Sequence, residues 1–319
     1  LAELRFDGRV ALVTGAGRGM GKVHAEQLAA RGAKVVVSDL GADVAGAGED
    51  RAIAETVAAA IRARGGEAVA YTGDLAQEAG ARGAVACALD AWGRLDVLVH
   101  NAGVTLGGMP CERETLDRLE GLLAINTRAA FALLGEAWPA MQRQAFGRIV
   151  LIGSTAMYGI PLNLPYCTAK ASYIGMTRAL AGEGAPFGIK INLVGPSGVS
   201  RMAETIPESE FRRWFFETMK PELVSAAVVL LSHEDCPATG EIFAVAGGRV
   251  ARTVISETRG FIKRDLTPED VRDNMAAIMA TDGMAPVADY EASASLLMDA
   301  LGFVPSEDLG LVSAAPPQA

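Results

Sequence analysis

The chain predicts a doubly wound α/β fold of Rossmann type, with a seven-stranded parallel sheet in the order 3-2-1-4-5-6-7 and a C-terminal extension. Three observations carry that expectation. Short apolar, β-branched runs recur seven times, Ala-rich segments of helical periodicity separate them, and the first run leads straight into a glycine-rich loop. Continuous apolar strands suit a parallel sheet covered on both faces. Strand–helix alternation is the pattern of parallel crossovers.

The strands are read at 9–15 ("RVALVTG"), 33–39, 67–74, 95–101, 147–154, 189–196 and 241–248. Helical periodicity falls at 20–31, 50–64, 79–92, 115–142 and 166–183. Two segments depart from the repeat. Residues 201–235 carry "FRRWFFETMK" (211–220) and then "PELVSAAVVLLSHE", inserted between the sixth and seventh strands, and are read as a substrate cover. Residues 249–302 continue with charged, partly helical sequence, in which Thr267 of "TPED" is an N-cap followed by Pro at the first helical position. No repeat or linker divides 1–302, which is expected to be a single domain, and 303–319 is expected to be a flexible tail.

Composition narrows the function classes. The 319 residues, 50% hydrophobic and 21% charged, suffice for a large core. A net charge of −9 argues against a nucleic-acid surface. No run approaches the ~20 apolar residues of a membrane span, and the start lacks a signal-peptide layout. Cys87, Cys111, Cys167 and Cys236 are scattered, without zinc spacing, as expected of reduced thiols in a cytoplasmic protein. His24, His100 and His233 are too dispersed to suggest a metal site.

Residues 14–21, "TGAGRGMG", follow the first strand and open a helix. Gly15, Gly17, Gly19 and Gly21 allow a sharp turn and close approach to a pyrophosphate, which the helix N-terminus can bind. Asp39 ends the second strand 18 residues beyond Gly21, where a carboxylate accepts hydrogen bonds from ribose hydroxyls and repels a 2′-phosphate. NAD is therefore expected as the cofactor in preference to NADP. Asp74, ending the third strand, is a candidate partner for the adenine amino group.

In "PYCTAKASYIG" (165–175), Tyr166 and Lys170 stand one helical turn apart on the same face. An ammonium there would favour the phenolate and lower the Tyr pKa, making a proton acceptor. A core Tyr beside a solvent-facing Lys would give the same string. Together, "TGAGRGMG", Asp74, "NAG" (101–103), Asn126, Ser154, "YCTAK" (166–170) and "GPSGVSRM" (195–202) resemble, in order and spacing, the short-chain dehydrogenase/reductase family.

The resemblance implies an NAD-dependent enzyme interconverting a secondary alcohol and a ketone. It makes Tyr166 the base, Lys170 its helper and a holder of the nicotinamide ribose, Ser154 the hydrogen-bond partner of the substrate oxygen, and Asn126 the residue positioning Lys170 through a water. It implies cofactor contacts at Arg18, Met20, Leu75, Asn101, Ala102, Gly103, Pro196 and Val199 as well. It also implies a homodimer or homotetramer built on the helices at 115–142 and 166–183. Three departures stand out: Ser154 lies 12 residues before Tyr166 where relatives show 13, with Thr155 the fallback donor; His100 replaces an Asn; and Pro165 precedes Tyr166. Cys167 is read as packing.

The long segment after the second strand, "VVVSDLGADVAGAGEDRAI", is similar to members of the family acting on (3R)-hydroxyacyl-CoA thioesters. Phe211, Trp214, Phe215 and Phe216, beside Arg212, Arg213 and Lys220, offer an apolar wall and cations, with Arg201, Arg249 and Arg252 as further anchors. The segment also reads as an amphipathic surface helix packed on the core. The expected substrate is an acyl-CoA, possible alternatives being a steroid or other bulky secondary alcohol. A non-catalytic dinucleotide-binding sensor or scaffold is the alternative of a different class. The ending "PPQA" is not the peroxisomal Ser-Lys-Leu address, in line with the cytoplasmic expectation.

Overall fold

A computed structural model describes residues 2–303 except 201, 202, 204 and 205. Residues up to Arg252 form one compact unit and residues from Thr253 a second. Arg201 and the tail from 304 lie outside the described residues.

In the first unit, β1 (Val10–Thr14), β2 (Lys34–Ser38), β3 (Ala68–Tyr71), β4 (Val97–His100), β5 (Gly147–Ile152), β6 (Ile189–Ser197) and β7 (Ile242–Ala246) form the expected sheet, in the order β3-β2-β1-β4-β5-β6-β7. Neighbours from β3 to β7 run parallel. An eighth strand, β8 (Arg249–Thr253), adds to β7 and was not expected from the sequence. Gly247 and Gly248, with φ of +55° and +83°, make the two-residue hairpin turn that L side chains resist, and "RVART" folds back on the sheet edge.

Alternate residues of β1 serve opposite faces. Ala11 and Val13 pack with α1 (Gly19–Ala30), α2 (Ala52–Ala63) and α8 (Pro221–Ser232). Val10 and Leu12 pack with α3 (Glu78–Trp92), α5 (Ala129–Gln144) and α6 (Leu164–Gly184). These four side chains are fully buried, and each of Val10, Leu12 and Val13 contributes about 1.5–3 kcal/mol. Asp96 pins the N-terminal end of the sheet: its buried carboxylate takes Arg9 at 3.0 Å, Arg94 at 2.6 Å and the Val10 amide at 2.9 Å.

Three local features position the site. The helix read at 115–142 spans α4 (Leu116–Leu123) and α5, joined through a π-helical turn, Ala124–Arg128, that carries Asn126. Such turns displace one residue from the helical ladder, often at functional sites. The segment 39–51 forms a folded strap in which the Asp43 carboxylate accepts from the Ala45 and Ala47 amides at 2.8 and 2.9 Å. Of the expected cover 201–235, only α7 (Glu210–Thr218) with its flanks stays outside the core. The second half is α8, whose Val224, Val228 and Val229 are buried against the sheet.

The second unit pairs β9 (Ser256–Glu257) with β10 (Ala285–Pro286) and carries α9 (Pro268–Asp273), α10 (Met275–Met279) and α11 (Tyr290–Leu301). Thr267 caps α9 as expected, and Asp270 returns the bond to the Thr267 amide at 3.0 Å.

Candidate active site

The C-terminal ends of β1, β2, β4 and β5 open into a crevice of two adjoining cavities, about 420 and 280 Å³. Both are lined by Met20, Asn101, Gly103 and Ser200. In open parallel sheets ligands bind at this edge, where the strand order reverses. Here the reversal lies between β1 and β4.

The larger cavity is lined by Gly15, Arg18, Gly19, Asp39, Asp74, Leu75 and Ala102, all expected from the sequence. Gly17 and Gly21 do not line it and act through close approach instead. A Cβ at Gly21 would lie 2.1 Å from the Gly15 carbonyl oxygen, and one at Gly17 would lie 2.8 Å from the Asp39 carboxylate. Asp39 accepts the Gly17 amide at 2.8 Å and the Gly41 amide at 2.7 Å, so it ties the glycine loop to the strap. About four lone-pair sites on a carboxylate leave room for ribose hydroxyls. Asn101 braces the same loop, donating to the carbonyls of Thr14 and Gly15 at 3.2 Å each.

The strap forms a wall that sequence reasoning noted as long but did not assign to the site. Ala42, Asp43, Val44 and Gly46 line the cavity; the Val44 carbonyl accepts the Thr105 amide at 3.4 Å, and Arg18 donates to Ala42 at 3.2 Å. Ser200, also unassigned, lines both cavities, whereas its neighbour Val199 lines neither and donates its amide to Met219. Pro196 lines the smaller cavity.

That cavity brings together Ser154, Tyr166 and Lys170, with Phe215 of α7 on its wall. Ser154 leaves β5 and caps the turn Thr155–Tyr158, accepting the Ala156 amide at 3.1 Å. Thr155, the fallback donor, is exposed and does not line the cavity. Pro165 sits in the first turn of α6, where its missing N–H costs nothing, and presents Tyr166. Cys167 packs beside Tyr166 and does not line the cavity, its sulfur taking the Ile160 amide at 3.2 Å.

Lys170 is buried and donates to the Ile152 carbonyl at 3.1 Å. Its ammonium lies 6.0 Å from the centre of the Tyr166 ring. Burial lowers its pKa to about 7. The Tyr166 phenol is pushed up by burial, opposed by its hydrogen bond to Ser154. The sequence led us to expect Lys170 to pull the phenol down. In the protein alone desolvation wins, because Tyr166 and Lys170 are both removed from water.

Asn126 is fully buried; its Nδ2 donates to the carbonyls of Leu122 at 3.0 Å and Val104 at 3.2 Å, while its Oδ1 has no hydrogen-bond partner. An orphaned buried acceptor of this kind marks a place for water or a bound group. The N-terminus of α1 is likewise open: Arg18 gives no side-chain cap and the first turn holds no acid. Free amides there suit a phosphate. The open helix end, the Asp39 carboxylate and the unpartnered Asn126 oxygen fit a dinucleotide. Such a group, when bound, supplies the hydride acceptor.

A glycine loop at a helix N-terminus, a strand-end carboxylate and a Ser–Tyr–Lys cluster at one end of a parallel sheet define a dinucleotide-dependent oxidoreductase. The chain belongs to the short chain dehydrogenase family, whose model matches residues 9–210. It is 37% identical over 314 residues to the peroxisomal multifunctional enzyme type 2 of Mus musculus, covering 97% of this chain and 42% of that protein. The full-length Drosophila melanogaster enzyme of the same name superposes with a TM-score of 0.75 at 27% identity, covering 94% of this chain and 50% of that one. This chain thus spans half or less of either relative. A 7α-hydroxysteroid dehydrogenase complexed with NADH and 7-oxo glycochenodeoxycholic acid matches with a TM-score of 0.69 at 27% identity, covering 77% and 96% of the two chains. No described helix is long and apolar enough to cross a membrane.

Proposed function

We propose that this chain is an NAD-dependent dehydrogenase that interconverts a (3R)-hydroxyacyl-CoA, including ones with a bulky or steroid-derived acyl group, and its 3-oxoacyl-CoA. The observation that carries this reading is the smaller cavity, where Ser154, Tyr166 and Lys170 meet the aromatic wall of α7 through Phe215. The resemblance of the segment after β2 to family members acting on hydroxyacyl-CoA thioesters supports the thioester. The Asp39 carboxylate beside Gly17 supports NAD, because it would repel a 2′-phosphate.

In this account Ser154 and Tyr166 hold the substrate hydroxyl, and Tyr166 takes its proton as the carbinol hydrogen leaves with its electron pair. Lys170 steadies the phenolate, and Asn126 holds Lys170. Of the cations considered for CoA, Arg213, Lys220 and Arg249 are exposed, whereas Arg252 is committed to Glu241 at 2.6 Å and Arg212 to Glu208 at 3.0 Å.

Oxidation of a free steroid or other bulky secondary alcohol is the second reading, favoured by the aromatic stack of Phe211 on Trp214 and Phe215, centroids 5.7 and 5.9 Å apart. NADH formation from (3R)-hydroxyacyl-CoAs and matched free alcohols separates the two. Turnover confined to thioesters is expected; turnover of free alcohols alone would select the second reading. A second copy of the chain fits the exposed Leu116 and Phe131 on the α4–α5 helix, and the four free thiols are in keeping with the cytoplasm.

A further inference from the structure

His100 ends β4 directly beside the site, fully buried, and the proton transfer above does not use it. Its Nδ1 lies 3.0 Å from the Thr14 hydroxyl. That oxygen already accepts two amides, from Asn101 at 3.1 Å and Ala102 at 3.0 Å. Two accepted bonds fill its lone pairs, so its single proton goes to His100. Nδ1 is therefore an acceptor, and the ring proton sits on Nε2. Burial holds the ring neutral, with a pKa of about 3.

The other edge of the ring faces the catalytic turn. The Asn126 backbone carbonyl acts on the imidazole, short of hydrogen-bond geometry at Nε2. The same carbonyl accepts the Tyr173 hydroxyl, and the His100 and Tyr173 rings meet edge to face with centroids 6.0 Å apart. Lys170 stands 4.9 Å from the Tyr173 ring centre. A series thus runs from the Asn101–Gly103 turn, which lines the crevice, through Thr14 to His100, whose ring packs on Tyr173, and from the Tyr173 hydroxyl to the π-helical turn.

We propose that His100, as its Nε2–H tautomer, is a positioning residue that fixes the Asn101–Gly103 turn to the π-helical turn and, through Asn126, holds Lys170 beside Tyr166. The inference rests on Tyr166 being the base. The groups facing His100 are Thr14 from β1, Asn126 from the π-helical turn, and Lys170 and Tyr173 from α6. The phenol itself faces Ser154, Lys170 and Cys167.

The test compares His100→Leu, His100→Gln and Tyr166→Phe on the thioester and alcohol panel above, with kcat and KM against pH, NADH affinity by fluorescence, and Tm. His100→Leu removes both polar edges; His100→Gln keeps one donor and one acceptor. The expected result for His100→Leu is a kcat lower by about 10-fold, as a small misplacement of a reacting group produces. Its acid limb should move to higher pH, because a displaced ammonium steadies the phenolate less, and His100→Gln should recover most of both. A lower Tm for His100→Leu with kcat, pH profile and NADH affinity unchanged would make His100 merely structural and overturn the inference. If His100→Leu does not fold, the 15N spectrum of the wild-type histidines decides: Nε2–H at His100 supports the inference, and Nδ1–H overturns it. Full activity of Tyr166→Phe would instead remove the base assignment, a failure visible independently of any His100 variant.

Discussion

The Oδ1 of Asn126 and the Nζ of Lys170 converge on Gly103. A Cβ built there would lie 2.6 Å from the oxygen and 3.1 Å from the nitrogen. The last residue of "NAG" is therefore small because two site side chains occupy the space a methyl group would need. Gly103→Ala is expected to leave the fold intact at a cost of about 1–3 kcal/mol, typical of overpacking, and to lower kcat far more than it raises KM. Steady-state kinetics beside a denaturant titration checks this; an unchanged kcat would dissociate Gly103 from the site.

Lys170 carries a stability cost that depends on pH. Its folded pKa of about 7 lies below the ordinary Lys value, so between the two the unfolded chain binds the proton and the folded chain does not. Stability then rises with pH across that window, and the cost is fully present below pH 7. The difference in unfolding free energy between wild type and Lys170→Met should increase from pH 7 to about pH 10. Chemical denaturation of both proteins at several pH values measures it, and a flat difference would contradict burial as the cause.

Asp39 serves both the loop and the cofactor. Asp39→Ala should raise the KM for NAD by about 10-fold or more, the worth of a hydrogen bond to a charged group. It should also relax discrimination against NADP. Initial rates with both cofactors test this, and an unaltered NAD-to-NADP ratio would show that the carboxylate only staples Gly17 to Gly41.

Asp96 lies at the opposite end of the sheet. With two partly exposed arginines and a buried amide on a fully buried carboxylate, Asp96→Ala leaves the Val10 amide unpaired and takes a carboxylate from both arginines. A loss of about 1–3 kcal/mol is expected from the stranded amide, with kinetics of the surviving folded protein unchanged. A stable variant, or one with altered KM, would contradict a purely structural role.

Much of this was legible in the chain because each feature has a local signal. Apolar runs specify strands buried on both faces, glycines mark the phosphate turn, and Tyr166 and Lys170 are one helical turn apart. The β8 hairpin was missed because the Gly247–Gly248 turn follows a run already ending in glycine, and "VARTV" carries little apolar weight. The π-helical turn at Asn126 has no sequence signal: its Asn126 carbonyl is taken by the Tyr173 hydroxyl, from another element. The strap's role as a cavity wall was invisible for the same reason, since Val44 meets Thr105 only in three dimensions. Helix α8 was grouped with the cover because it follows α7 directly, whereas its valines belong to the core.

The central claim is that Tyr166 takes the substrate proton within a Ser154–Lys170 frame. Its most direct test is the pH dependence of NADH formation by wild type and Tyr166→Phe on the best thioester of the panel. The account predicts a wild-type rate that rises with pH through a single limb and a Tyr166→Phe variant that binds NADH normally yet turns over at least about 100-fold more slowly. A Tyr166→Phe variant with the wild-type rate and the same limb would place the base elsewhere.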